Sequence, residues 1–348
     1  LLAHQRGTHL RGNNRRGKIR VTVALSVLAL AVGAGAAHAA PTATPKATAW
    51  PGGSKVAIAD DSGVFGSNLS GVSYESPTVL WAVKNGPSTL YRLVQDGKKW
   101  RPDTANDWAK GKSMHYSDGS GDPDAEGVVF TPDGVFTATE RDNDDGDTSK
   151  PAVLRYATSG SGKSLNATGE WDLTSDLPSV EPNKGLEAIA WVPDSTLTAH
   201  KFRDEHTKAA YNPASYPNHG TGLYFVGLED NGKVYAYALD QSGDKYTRVA
   251  TIDSGFPAIM DLEYEPSTGH LWAECDNTCK GRTSTLDVNS KGAFAVTAQY
   301  DRPSGMSNYN NEGFAISPTC ANGSKQVVWS DDDNDDDHAL RTGTLSCK

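Results

Sequence analysis

The chain is poor in the signatures of the common enzyme classes. It has no G-x-S-x-G elbow, no H-E-x-x-H helix, no phosphate loop and no dinucleotide fingerprint, so the chemistries that depend on them are set aside. Helical periodicity is scarce. No apolar run after the N-terminal region approaches the roughly 20 residues that a membrane-spanning helix needs. Positive charge is also short, with 33 Lys and Arg against 43 Asp and Glu in 348 residues. Six of the basic residues and none of the acidic ones lie in the first 39 positions, and without that segment the formal balance falls from −10 to −16. Such a surface argues against nucleic acid or an anionic membrane as partner. Beyond that segment, His115, His200, His206, His219, His270 and His338 show no metal-ligand spacing.

What is present begins with a leader. Arg6, Arg11, Arg15, Arg16, Lys18 and Arg20 precede an apolar, small-residue stretch from Val21 to Ala36, and Ala37-His38-Ala39 forms a small-x-small cleavage site. Residues 1–39 therefore read as a signal for export. Arg15-Arg16 hints at the twin-arginine route, but Gly17-Lys18 follow it, which favours ordinary secretion. Residues 40–54 read as a flexible linker, and residues 55–348 as one domain with an insertion at 194–220. The chain is expected to be extracellular and monomeric. Its four cysteines form an even set, as in disulfide-bonded exported proteins. The favoured pairing is Cys275–Cys279 and Cys320–Cys347, with a zinc site as the alternative.

Short runs rich in Val, Ile, Tyr, Trp and Thr alternate with Gly, Asp, Asn, Ser and Pro clusters, which is an all-β pattern. The runs recur in larger units. Five versions of one phrase can be aligned: SGVSYES from Ser70, EGVVFTP from Glu126, EAIAWVP from Glu187, MDLEYEP from Met260 and EGFAISP from Glu312. Each is followed by a turn and a second apolar run, often by a third, and in several units by a fourth. Units of four antiparallel strands repeated around an axis describe a β-propeller, here with five blades. A sixth, degenerate blade in the insertion is the alternative. The last unit lacks an outer strand, while Lys55–Asp60 is a strand without a unit of its own. Pairing the two would close the ring and remove a free sheet edge.

The repeated phrase also carries chemistry. In a propeller the innermost strands crowd the central channel, which accounts for the small residues Gly71, Gly127, Ala188 and Gly313. The residue before each would stand at the channel mouth: Ser70, Glu126, Glu187 and Glu312, with Met260 in the fourth unit and Asp261 beside it. Like charges gathered in one small space must take up protons or a cation. Outside the cell calcium is the natural cation, since it accepts six to eight oxygens in flexible geometry. The expected ligands are Glu126, Glu187, Asp261 and Glu312. A second ring, at the ends of the second strands, comprises Asn85, Glu140, Glu229, Asp276 and Asp331, with Ser70 able to join the shell. The acidic loops ERDNDDGDTSK and SDDDNDDDHAL lack the final glutamate of an EF-hand and read as solvated loops.

The phrases LSGVSYESPTVLWAVKN, DAEGVVFTPDGVFTATE, NKGLEAIAWVPD and NNEGFAIS resemble the SdiA-regulated bacterial propellers. They are also similar to the secreted domain family known as esterase-like activity of phytase. The first resemblance implies a five-bladed propeller with bound calcium, and the second implies a hydrolase. Two functions follow. One is a secreted calcium-binding module for a small-molecule or protein ligand. The other is a calcium-dependent hydrolase of a phosphoester, lactone or ester, in which a free carboxylate serves as base.

Overall fold

A computed structural model describes residues 44–347, so the leader lies outside the described residues. A short strand, β1 (Ala57–Ile58), precedes the first repeat, which consists of β2 (Leu69–Ser76), β3 (Val79–Lys84), β4 (Thr89–Asp96) and β5 (Lys99–Pro102). After β6 (Lys112–His115) comes the second repeat, β7 (Pro123–Thr131), β8 (Gly134–Asp142), β9 (Ser149–Tyr156) and β10 (Ser164–Asp172). The third starts with β11 (Leu186–Pro193). It is interrupted by the helix α1 (Asp194–Ala199) and the hairpin β12 (Arg203–Asp204) and β13 (Ala209–Ala210), and resumes with β14 (Gly222–Leu228), β15 (Lys233–Leu239) and β16 (Tyr246–Asp253). The fourth is β17 (Asp261–Glu265), β18 (His270–Glu274), β19 (Thr283–Val288) and β20 (Phe294–Tyr300). The fifth is β21 (Asn311–Ile316), β22 (Ser324–Asp331) and β23 (Leu340–Ser346).

Within each repeat successive strands pair antiparallel, and β6 joins the first two repeats into one nine-stranded sheet by lying antiparallel to β4 and parallel to β10. The first strands of the repeats touch in a closed cycle: β2 on β7, β7 on β11, β11 on β17, β17 on β21, and β21 back on β2. This all-β, cyclic arrangement suggests a propeller. The fifth repeat takes its fourth strand from the N-terminal side, Ala57 pairing with Thr342 and Ile58 with Arg341. The Asp60 carboxylate continues that seam by accepting from the Ala339 amide at 2.8 Å.

Burial follows position in the cycle. Strand β7 has neighbours on both faces and buries all but one of its residues, whereas β20 is mostly half-exposed. The small residues of the repeated phrase allow this crowding. An ideal Cβ on Gly71 would lie 2.5 Å from the Glu126 carbonyl oxygen, and one on Gly313 would lie 2.5 Å from the Ser70 carbonyl oxygen, each in the next repeat around the cycle.

The insertion packs rather than projects. Leu197, Phe202, Tyr211 and Tyr216 join the core shared with Phe225 and Phe294, and the segment holds a two-stranded hairpin instead of a four-stranded sheet. Residues 44–54 lie against the fourth and fifth repeats. Trp50 is buried against Trp272, Phe314 and Trp329, and its indole N–H donates to the Thr344 carbonyl at 2.8 Å. A large aromatic with a satisfied N–H holds the surrounding threonine, alanine and proline residues in place. The two disulfides are Cys275–Cys279 and Cys320–Cys347, the pairing favoured from the sequence. Among the described residues no helix is long and apolar enough to cross a membrane.

Candidate functional site

The beginnings of the inner strands converge on a cavity of about 260 Å³ lined almost wholly by polar groups. Glu126 at β7, Glu187 at β11 and Glu312 at β21 each bring a carboxylate oxygen to within 4.8 Å of the other two. Glu140, from the end of β8, forms one such group with Asp124 and Glu126, and another with Glu187 and Glu229. Irregular pairing at these strand starts, between Ala125 and Gly127 and again between Leu186 and Ala188, lets the backbone turn the glutamates inward.

Ser70 Oγ lies 2.6 Å from Glu126 Oε2 and 2.9 Å from Glu312 Oε2. One hydroxyl hydrogen serves only one of these oxygens, so a proton on the other carboxyl completes the bridge when no cation is bound. Asn85 Nδ2 donates to both oxygens of Glu126, at 2.9 and 3.1 Å. Glu140 Oε1 accepts from the Gly185 amide at 2.6 Å.

These carboxylates are nearly inaccessible, Glu126 being 4 % exposed, Glu187 6 % and Glu140 1 %. Burial pushes Glu126, Glu187 and Glu312 well above the usual carboxylate range, and their acidic neighbours add to the effect. Burial also raises Glu140 to about 7 and Asp332 to about 6. Among the described residues the only basic side chain lining the cavity is Arg141, whose Nε lies 2.7 Å from Asp124 Oδ2.

Among the described residues the metal-donor set is all oxygen, with amides and carboxylates but no histidine or cysteine at the cavity wall. Asn85 Oδ1, Glu229 Oε2 and Asp332 Oδ1 are buried with no hydrogen-bond donor among the described residues. Buried acceptors that lack donors, beside carboxylates that repel one another, fit a hard cation such as calcium better than zinc.

Three expected residues stand apart from this group. The Asp261 carboxylate instead accepts from the backbone amides of Phe314 at 2.6 Å and Leu262 at 2.7 Å. It occupies the position held by a small residue in the other repeats, which faces the next inner strand, so its side chain ties β17 to β21. Asp276 caps the disulfide loop by accepting from Thr278 N at 2.9 Å. Asp331 accepts from Asp335 N at 3.0 Å and lies 3.6 Å from Arg341. Asn68, Asp124, Asn183 and Asp332 line the cavity without having been singled out in the sequence. Asp124 stands two residues before Glu126, a spacing that could have found it, but Asp332 is hidden in an acidic run.

A family model described as esterase-like activity of phytase matches residues 65–335. The chain belongs to this phytase-like family. No curated protein matches its sequence. Solved structures with some likeness to this phytase-like chain include a protein of unknown function from Bacteroides caccae, with 9% identity, 76% of this chain and 78% of that one covered, and a TM-score of 0.39. Another is Myxococcus xanthus glutaminyl cyclase, with 10% identity, coverage of 83% and 93%, and a TM-score of 0.43. A chain of a mitotic checkpoint complex has 12% identity, coverage of 89% and 99%, and a TM-score of 0.38. Likeness at this level carries no argument about what the phytase-like chain does.

Proposed function

We propose that the chain is a secreted, five-bladed calcium-binding propeller whose acidic mouth engages a small-molecule or protein ligand through the bound ion. The observation that carries this reading is the meeting of Glu126, Glu187 and Glu312, drawn from three repeats, with carboxylate oxygens within 4.8 Å of one another. Glu140, Ser70 and Asn85 would complete the ligand set together with backbone carbonyls. Calcium bound there would supply positive charge to an otherwise anion-repelling mouth. The five-membered cycle of inner strands supports the blade number, and the two disulfides fit an oxidising compartment. The likeness to SdiA-regulated propellers belongs to the same reading.

Membership of the phytase-like family favours a second reading, hydrolysis of a phosphoester, lactone or ester at the same mouth. In it Asp332, on the cavity wall with its carboxyl raised to about 6, takes the proton of the attacking water, and the buried glutamates hold the ion. Calcium titration followed by thermal melting, then turnover on phosphoester, lactone and ester panels with and without EDTA, separates the readings. Metal-dependent turnover that disappears in Glu126→Gln and Glu187→Gln identifies a hydrolase. Metal-dependent melting without turnover identifies a binding module. A protein indifferent to calcium in both assays overturns both.

A further inference from the structure

The opposite tips of the inner strands surround a second cavity, of about 230 Å³, with a different chemistry. Three positions after the small residue of each repeat, or after Asp261 in the fourth, the sequence reads Tyr74, Phe130, Trp191, Tyr264 and Ile316, and all five line this cavity. The pseudo-symmetry that gathers carboxylates at one end gathers aromatic rings at the other. The Tyr264 hydroxyl is satisfied by Thr196 Oγ1 at 2.8 Å, and the Tyr74 hydroxyl donates to Gln326 Oε1 at 3.2 Å. The indole N–H of Trp191 is buried and has no partner among the described residues.

One acidic group in this cavity has no cationic partner among the described residues. Lys325 Nζ lies 2.6 Å from Glu265 Oε1, both side chains are almost fully buried, and the pair is neutral as a unit. Glu263 stands on the same wall and accepts only the Ile316 amide, at 3.3 Å. No ion pair to Glu263 is present among the described residues. Burial raises the Glu263 carboxyl to about 8, so it keeps its proton near neutrality until a cation stands beside it; it faces a cavity walled by aromatic rings, where the Lys325 ammonium is already engaged by Glu265.

We propose that this second mouth binds a small organic cation, an amine or quaternary ammonium with apolar substituents. The rings of Tyr74, Phe130 and Trp191 pack its apolar body and Glu263 supplies the opposing charge. Aromatic faces attract cations through their quadrupole, and they do so most strongly where water is excluded. The volume lies below the roughly 300 Å³ at which drug-sized pockets begin, so the occupant is a compact ion. A bound cation favours the ionised form of Glu263, whereas a neutral ligand or an anion leaves its carboxyl protonated and supplies no such pairing.

The inference is independent of the calcium reading, because it uses residues at the other end of the strands. Calorimetric titration with choline and with its uncharged carbon isostere, 3,3-dimethylbutanol, tests it. Choline is expected to bind at least about tenfold more tightly than the alcohol. Glu263→Gln and Phe130→Ala should each weaken choline about tenfold, while Asp147→Asn, at an exposed position that lines neither cavity, leaves its affinity unchanged. Equal affinity for choline and the alcohol, or no choline binding at about 50 mM, overturns the proposal. So does retention of full affinity by Glu263→Gln and Phe130→Ala proteins that give native near-ultraviolet circular dichroism.

Discussion

Adding calcium to the metal-free protein should stabilise it, and the size of the effect should depend on pH. Glu140 illustrates why. Its carboxyl is raised from the ordinary 4.5 to about 7 by burial, so the folded state holds that proton more tightly than the unfolded chain does. The stability this proton contributes is present below about 4.5 and is lost as pH rises through about 7. A shift of this size corresponds to roughly 3 kcal/mol. Glu126, Glu187 and Glu312 act in the same direction. A cation that replaces the protons reverses the loss. At a hundredfold excess over its dissociation constant it contributes about 2.7 kcal/mol. For a domain of this size that is roughly 5 °C in melting temperature, at about 2 °C per kcal/mol. The assay is calorimetric melting at pH 5 and pH 8, each in EDTA and in calcium. The shift should be large at pH 8, small at pH 5, and absent in Glu187→Gln. An equal shift at both pH values, or an undiminished shift in Glu187→Gln, would refute the reasoning.

Other expectations follow from packing and pairing. Gly71→Ala places a methyl 2.5 Å from the Glu126 carbonyl oxygen, so it should cost about 1–3 kcal/mol in denaturant unfolding and weaken calcium binding by moving β7. Replacing Cys320 and Cys347 by serine opens a loop of sequence separation 27 and should lower stability by roughly 3 kcal/mol, with the other disulfide intact in mass mapping. His219 lies 3.0 Å from Asp194, and that hydrogen bond raises the imidazole above its ordinary 6.5. A raised histidine contributes stability that is fully present below about 6.5 and is lost as pH rises through the folded value. His219→Phe should therefore lower the melting temperature most at pH 5.5, by the equivalent of about 2 kcal/mol, and progressively less toward pH 9.

Much of the fold was legible because the repeats obey one geometric demand. A strand flanked on both sides needs a small residue where the next strand approaches, and Gly71, Gly127, Ala188 and Gly313 mark those points. The glutamates were legible for the same reason, since the residue before each small one shares its placement. Composition alone does not distinguish a metal ligand from a carboxylate that bonds the next strand's amides, as Asp261 does. Asp276 and Asp331 likewise bond amides of their own loops, which the sequence pattern does not reveal. Asp332 escaped notice because an acidic run hides which member faces inward. Residues 44–54 are small or polar apart from Trp50, which composition does not single out and which packs in an aromatic nest.

The seam between β1 and β23 has a consequence for biogenesis. The strand that completes the last sheet is made first, and its partner Arg341 is made close to three hundred residues later. A chain leaving the ribosome therefore carries an open cycle of repeats until Leu340–Ser346 has emerged, and contacts so distant in sequence form slowly. Until then both rims of the gap remain templates for strands of other molecules, which makes the unfinished protein a natural client for holding chaperones.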